Sequence, residues 1–372
     1  MKIALKELVR RPGRFATATA ILTLIAILLM FLGGLLDGLI RSSTGAVDAQ
    51  DADALVFSES SQASFLRSRI EPDVRATIES ELGVDVGGLG VVLLGARVPG
   101  NGPRDLANVA VWGYELAPSR VPAPPPPGEA WADEILKADG VEIGMELLVG
   151  PARTPIVVTG WAENTSYNNG QAGLWTDVDT WRSVLNANRS DAALADGVFQ
   201  ALVVRKGDAD LASGAVPDAV EGLFDGGVVA LTVSEAIDAI PGVTEQQGTF
   251  NQILAVTVVI ALVVVALFFA LLTVERTALY GVLKAVGARS RTIFAGLVVQ
   301  AVVVTAIAAF IAGVAVVVLD LLIPPGSVPL FISAGRIVSS VVLLLVAAIL
   351  GCAFSLRRVL NVDPASALGS SQ

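Results

Sequence analysis

The chain has 372 residues, of which 53% are hydrophobic and 16% charged, against the ~25% charged that is usual for soluble domains. It has no histidine and a single cysteine, Cys352, which excludes an intramolecular disulfide and removes both the usual zinc ligand and the commonest general base at neutral pH. The net charge of −10 is unevenly spread: Ser42–Phe250 holds 12 Lys/Arg against 30 Asp/Glu, a net of −18, while the rest is net +8, so the two parts face different media and the acidic part is a poor surface for nucleic acid.

Taken in chain order, residues 1–14 are a basic segment carrying Lys2, Lys6, Arg10, Arg11 and Arg14, followed by the uncharged run Phe15–Leu36. Its apolar stretch is longer than the ~7–15 residues of a signal-peptide core and no clear small-x-small site closes it, so 15–41 reads as a retained first transmembrane helix. Three more uncharged runs, Asn251–Val274, Thr292–Leu319 and Ile337–Leu356, each supply the ~20 residues that cross ~30 Å of hydrocarbon. The stretch "AVTVVIALVVVALFFALLTV" has no polar face, unlike a surface helix of a soluble protein. The expected spans are 251–274, 292–319 and 337–356. The fold class predicted is a membrane protein of four transmembrane α-helices, with an extracytoplasmic α+β domain inserted between helices 1 and 2.

That inserted segment, 42–250, changes pattern to short Val- and aromatic-rich runs bounded by Gly, Pro, Asn and Asp. Strands are expected within "DALVFSES", Leu89–Val98, "LANVAVWGYEL", "PIVVTGWAEN" and "FQALVVRKGD", and helices at Pro72–Leu82, Asp133–Ala138, Val178–Leu185 and Ser234–Ile240. "VPAPPPPGEA", Val121–Ala130, reads as an extended polyproline-like connector between two lobes. "YNNG" at Tyr167–Gly170 reads as a tight turn. Asp177 with Asp179, and Asp208 with Asp210, read as solvated turns and helix N-caps rather than acid–base pairs.

Between the second and third spans lies "VERTALYGVLKAVGARSRTI", Val274–Ile293, with five charged side chains. Lys and Arg also precede the first span and follow the fourth (Arg357, Arg358), whereas the third-to-fourth connection, 320–336, holds only Arg336. The positive-inside rule therefore predicts that both termini, the tail 357–372 and the strip 275–291 are cytoplasmic, and that 42–250 and the loop 320–336 are external. On a helix, Leu279, Val282, Leu283 and Val286 share one face, while Arg276, Lys284, Arg291, Gly281 and Gly287 lie elsewhere. Gly287-Ala288 gives the strip a low-bulk end. Such a helix suits either anionic lipid or a groove on a protein. "GVLKAVGA" is not a phosphate loop, because Lys284 precedes Gly287 instead of following the second glycine of G-x-x-x-x-G-K-[ST]. If ATP drives this protein, another polypeptide binds it.

"ER" at 275–276, "YGVLKAVGA" at 280–288 and Gln300 together resemble the cytoplasmic motif of the FtsX-like, MacB-type permeases of ATP-binding-cassette systems. "ALKELVRRPGRF" (Ala4–Phe15) and "DPASAL" (Asp363–Leu368) resemble the ends of that family, the first 60 residues are similar to its DevC-like exporter branch, and "VEIGMELLVGPARTPIVVTGWAEN" resembles a paired-strand element of its external domain. Tyr280 departs from the pattern, where the family more often has phenylalanine, and the external segment is shorter than in the larger exporters. The resemblance implies a non-catalytic permease subunit of the bacterial cytoplasmic membrane that works as a homodimer or paired permease among membrane lipids. It also implies a cytoplasmic ATPase partner that binds ATP and Mg, and room for an extracytoplasmic accessory protein. By the same resemblance Leu279, Val282, Leu283 and Val286 form the ATPase-docking face, Glu275, Arg276 and Lys284 fix its angle, and Tyr280 and Gly287 belong to the same coupling helix. Export of a lipophilic or peptide substrate is the expected outcome. The alternatives are activation of a cell-wall hydrolase and, outside the family, a membrane-anchored sensor.

Overall fold

A computed structural model describes residues 12–102, 104–275, 290–323 and 328–360. The chain divides into two compact units, one drawn from residues up to 38, 248–324 and 330 onward, the other from 39–247 and 325–329.

The first unit contains four long helices: α1 (Pro12–Asp48, of which the part up to Gly38 belongs here), α6 (Val243–Glu275), α7 (Ser290–Leu322) and α8 (Ala334–Leu360). All four are long and apolar enough to cross a membrane. Two apolar clusters hold them, and each draws on every helix. One joins Phe15 and Leu22 of α1 to Val265 of α6, Leu297 and Val304 of α7 and Ala348 of α8. The other joins Leu29 and Met30 to Ala261, Val316 and Leu344. Outside the bundle, Leu267, Leu271, Phe310, Leu321, Val338 and Val346 are exposed. Helices apolar on both their inner and outer faces want lipid as solvent. Small residues permit the closest approach: a Cβ on Gly351 would lie 2.9 Å from the Leu262 carbonyl, so α6 and α8 meet backbone to backbone.

The second unit is an α+β domain with nine strands: β1 (Ala54–Ser58), β2 (Asp85–Arg97), β3 (Leu106–Tyr114), β4 (Glu129–Asp133), β5 (Glu146–Val149), β6 (Thr154–Ala162), β7 (Ala172–Thr176), β8 (Ala201–Arg205) and β9 (Val228–Leu231). Its helices are α2 (Pro72–Leu82), α3 (Val178–Asn188), α4 (Val216–Glu221) and α5 (Val233–Asp238). The pairings β2-β3-β7-β4-β6-β5 return to β2 and close a six-stranded ring, while β8, β1 and β9 continue from β2 as a three-strand wing. Ring and wing share β2, whose first half pairs with β8 (Asp85↔Arg205 to Leu89↔Ala201) and whose end pairs with β5 (Ala96↔Val149, Arg97↔Leu148). The pairs β3/β7 and β4/β6 are parallel and the others antiparallel.

Alternate residues of these strands feed two different cores, so the strands read as nearly continuous apolar runs. Val56, Val111 and Leu202 face one core, and Phe57, Trp112 and Val203 the other. The second core is aromatic: Trp112 stacks on Trp175 at 5.1 Å, and Phe65 and Tyr167 meet Trp112 edge-on. On the first core's side α3 lies flat on glycines. A Cβ on Gly90 would be 2.0 Å from the Trp181 ring and one on Gly88 2.2 Å from Phe199, so only glycine at these strand positions lets the two rings dock. The wing ends at β9, and its outward Ala230 N–H donates to the Glu221 carboxylate at 2.9 Å, which blocks strand addition at that edge.

The segment Val121–Gly128 is not a linker between lobes, because the strands it joins, β3 and β4, sit in the same ring. It is a strap: Val121 and Pro125 are buried, Tyr114 Oη donates to the Pro122 carbonyl at 2.7 Å, and Trp131 Nε1 donates to the Ala123 carbonyl at 3.0 Å. Prolines suit a strap because they bring no amide donor that would need a partner.

Candidate functional site

The expected docking strip falls largely outside the described residues: Arg276, Leu279, Tyr280, Val282, Leu283, Lys284, Val286 and Gly287 are not described, and Glu275 is the last residue of α6. The bundle around the strip is described. In the cluster with Phe15, the start of α1 packs beside the later part of α6 (Val265), the start of α7 (Leu297, Ala301) and the end of α8 (Cys352). The end of α6 and the start of α7 therefore lie at the same end of the bundle as the start of α1 and the end of α8. In the sequence, the basic residues of 1–14, of the strip and of 357–358 adjoin these four helix ends, which is the asymmetry that the positive-inside rule reads.

At the other end of the bundle stands the exception, Arg336. Its guanidinium grips Asp37 of α1 through Nη2 to Oδ1 and through Nε to Oδ2 at 2.8 Å, and both side chains are 24% exposed. Beside them Phe331 N–H donates to the Gly34 carbonyl at 3.0 Å, and Ser333 Oγ accepts from Arg336 N–H at 3.0 Å, capping α8. Arg336 is visible in the sequence as a lone basic residue, but its partner stands 299 positions away, beyond the reach of any local pattern.

In the β domain the chemistry converges on the last turns of α1. There the helix reads Ser42-Ser43-Thr44-Gly45-Ala46, small enough for a loop to close on it. The Tyr167–Gly170 turn is present as expected, with Asn168, Asn169 and Gly170 at positive φ and Tyr167 bridged to Gln171. Its donors reach the helix: Gly170 N–H to the Ser42 carbonyl at 2.9 Å and Asn168 N–H to the Ser43 carbonyl at 3.1 Å, with Ala46 N–H returning to the Ser166 carbonyl at 3.0 Å. A Cβ on Gly45 would meet the Asn164 carbonyl at 2.7 Å. A second loop caps the helix end, as Arg120 bonds the Gly45 carbonyl at 3.1 Å and Asp48 at 2.8 Å, and Ser119 N–H bonds the Ala49 carbonyl at 2.8 Å. The first loop is anchored in turn by the buried Asp133, whose Oδ2 accepts from Thr165 N–H at 2.7 Å, Thr165 Oγ1 at 2.9 Å and Ser166 Oγ at 3.2 Å. The last turns of α1 are thus tied, through the 164–170 loop, to Asp133 at the end of β4.

Asp177 is an N-cap, accepting from Asp179 and Thr180 N–H at 3.0 Å each, as its spacing suggested. Among the described residues no group of His, Cys, Asp and Glu could hold a metal ion. Burial raises the Tyr114 phenol and holds that of Tyr167 up at about 12, so both are neutral structural groups. An apolar groove of about 510 Å³ runs between α7 and α8, lined by Ala309, Phe310, Gly313, Val317 and Val341, a surface that suits hydrocarbon. Residues 251–364 match the family described as FtsX-like permease C-terminal, a stretch that contains most of α6, all of α7 and α8, and the strip.

Proposed function

We propose, from a multi-pass membrane protein whose residues 251–364 form an FtsX-like permease C-terminal region consistent with an FtsX/MacB-type ATP-binding-cassette permease, that this chain couples ATP hydrolysis in a separate cytoplasmic subunit to motion of its β domain. The observation that carries the reading is the family match over the helices that flank the charged strip. In this reading the strip 275–291 lies in the cytoplasm, and Leu279, Val282, Leu283 and Val286 fill a groove on the ATPase as an amphipathic helix does. Glu275, Arg276 and Lys284 set the angle. The β domain lies outside, and the α7–α8 groove favours a lipophilic cargo over a peptide.

Pairing Val282→Asp with Leu283→Asp places two carboxylates on the apolar face. Since ~1.4 kcal/mol is tenfold in affinity and burying an unpaired charge costs more than that, co-purified ATPase should fall by at least about tenfold with membrane insertion unchanged. Wild-type recovery of the ATPase would overturn the docking face. In a Cys352→Ser background, Lys284→Cys should react with an impermeant thiol reagent only after the membrane is opened. Reaction in intact cells would overturn the topology.

A further inference from the structure

The pair Asp37–Arg336 is unlike anything else described in the bundle. Arg336 sits against the charge asymmetry of the chain, being the sole basic residue of the 320–336 connection. An arginine there is expensive unless neutralised, and ionisable residues in membrane helices call for a named partner. Three observations show a site built around the pair. The guanidinium meets the carboxylate with two nitrogens on two oxygens, which fixes orientation as well as charge. Gly33, one turn before Asp37, leaves the space the arginine stem occupies: a Cβ there would lie 2.6 Å from Arg336 Cδ. Gly34 then receives the chain leading into α8, both through Phe331 N–H and by packing, since its Cβ would be 3.1 Å from Ile332 Cγ1.

We propose that Asp37 and Arg336 are a bolt that holds α1 and α8 together as one rigid body through the working cycle. Opening the pair strands two charges in a poorly hydrated place, so the pair resists opening. The working-cycle part of this inference rests on the proposed coupling to an ATPase; the bolt itself does not.

The test uses the full chain in nanodiscs in a Cys352→Ser background. Asp37→Asn and Arg336→Gln should each lower the thermal midpoint by about 5 °C or more, and the double variant by clearly less than the sum, because no charge is then left alone. Gly33→Val should lower the midpoint when Arg336 is present and add nothing in an Arg336→Ala background. Additive losses in the first cycle, or an unchanged Gly33→Val penalty in the second, would overturn the pair as a unit. Gly34→Cys with Ile332→Cys leaves both charged groups in place, and on oxidation it should form a disulfide in the resting protein. With the ATPase bound, the cross-link should form equally well with and without Mg-ATP and leave hydrolysis running. Failure to cross-link at rest, a loss of cross-linking during turnover, or arrest of hydrolysis by the cross-link would each overturn the bolt, the last two making it a gate. If no ATPase associates, the coupling reading falls, while both mutant cycles and the resting cross-link still decide the bolt.

Discussion

Trp181 occupies its place because two strands are bare beneath it. Adding a side chain at Gly90 or Gly113, where a Cβ would lie 2.0 Å and 2.5 Å from its atoms, forces α3 off the sheet. Overpacking of this kind costs about 1–3 kcal/mol, so Gly113→Val should shift tryptophan-fluorescence unfolding to lower denaturant by that amount. Asp133 makes a complementary case, since it accepts from Thr165 N–H, two hydroxyls and Ile135 N–H while 3% exposed. Asp133→Ala leaves the Thr165 amide unpaired, and a loss of about 1–3 kcal/mol is expected from the same measurement. The tyrosines give the pH dependence. Because the folded phenol of Tyr167 titrates at about 12, above its unfolded value of ~10, its contribution is whole below pH 10 and is lost as pH climbs through 12. Tyr114 acts in the same direction. Alkaline melts should therefore fall over that window, and Tyr167→Phe should flatten the fall.

At the scale of elements, the outermost turns of α1 behave as part of the β domain. Helix periodicity explains the buried Ala46 and Val47, but the run Ser42–Ala46 is chosen for size, since the loop carbonyls of Asn164 and Ser166 lie where a Cβ on Gly45 would be. Gly45→Val should push the 164–170 loop away, raising amide exchange at Asn168 and Gly170, whose N–H groups bond the helix carbonyls. Ser42→Ala should leave exchange at Gly170 unchanged, because Ser42 contributes its carbonyl to that bond. The polyproline strap follows the same logic: it closes over the aromatic core, and its prolines reflect the scarcity of donors needed there rather than distance between lobes.

For the whole molecule, the division into a bilayer bundle and an acidic β domain sets what each part requires. The β domain has two cores and no disulfide, so reductant should leave its melting temperature unchanged. A fragment beginning at Ser42 and ending at Gln247 should fold as a soluble protein, with circular dichroism showing mixed strand and helix. One beginning at Asp51 forfeits Ala46, Val47 and the loop's helix partner, and should melt lower. Failure of the longer fragment to fold would mean that the bundle contributes to the domain's stability.

The sequence by itself determined four spans, an inserted α+β domain, the helix Pro72–Leu82 and the Asp177 cap, because length, uninterrupted apolarity and capping chemistry are local and add up along the chain. It also carried the family resemblance through the motif around "YGVLKAVGA". It did not disclose the short strands β4, β7 and β9, whose signals are too brief to separate from turns, and it carried β5 only through the resemblance of residues 141–164 to a paired-strand element. Only the tertiary structure decided that one edge of β2 pairs with β8 of the wing along its first half and with β5 of the ring at its end, that the segment 122–127 forms a strap, and that Arg336 answers Asp37. The sheet closure and the ion pair depend on groups brought together across tens or hundreds of positions, where pairing energy is spent against loop-closure entropy and leaves no local trace, and the strap depends on the aromatic core it covers.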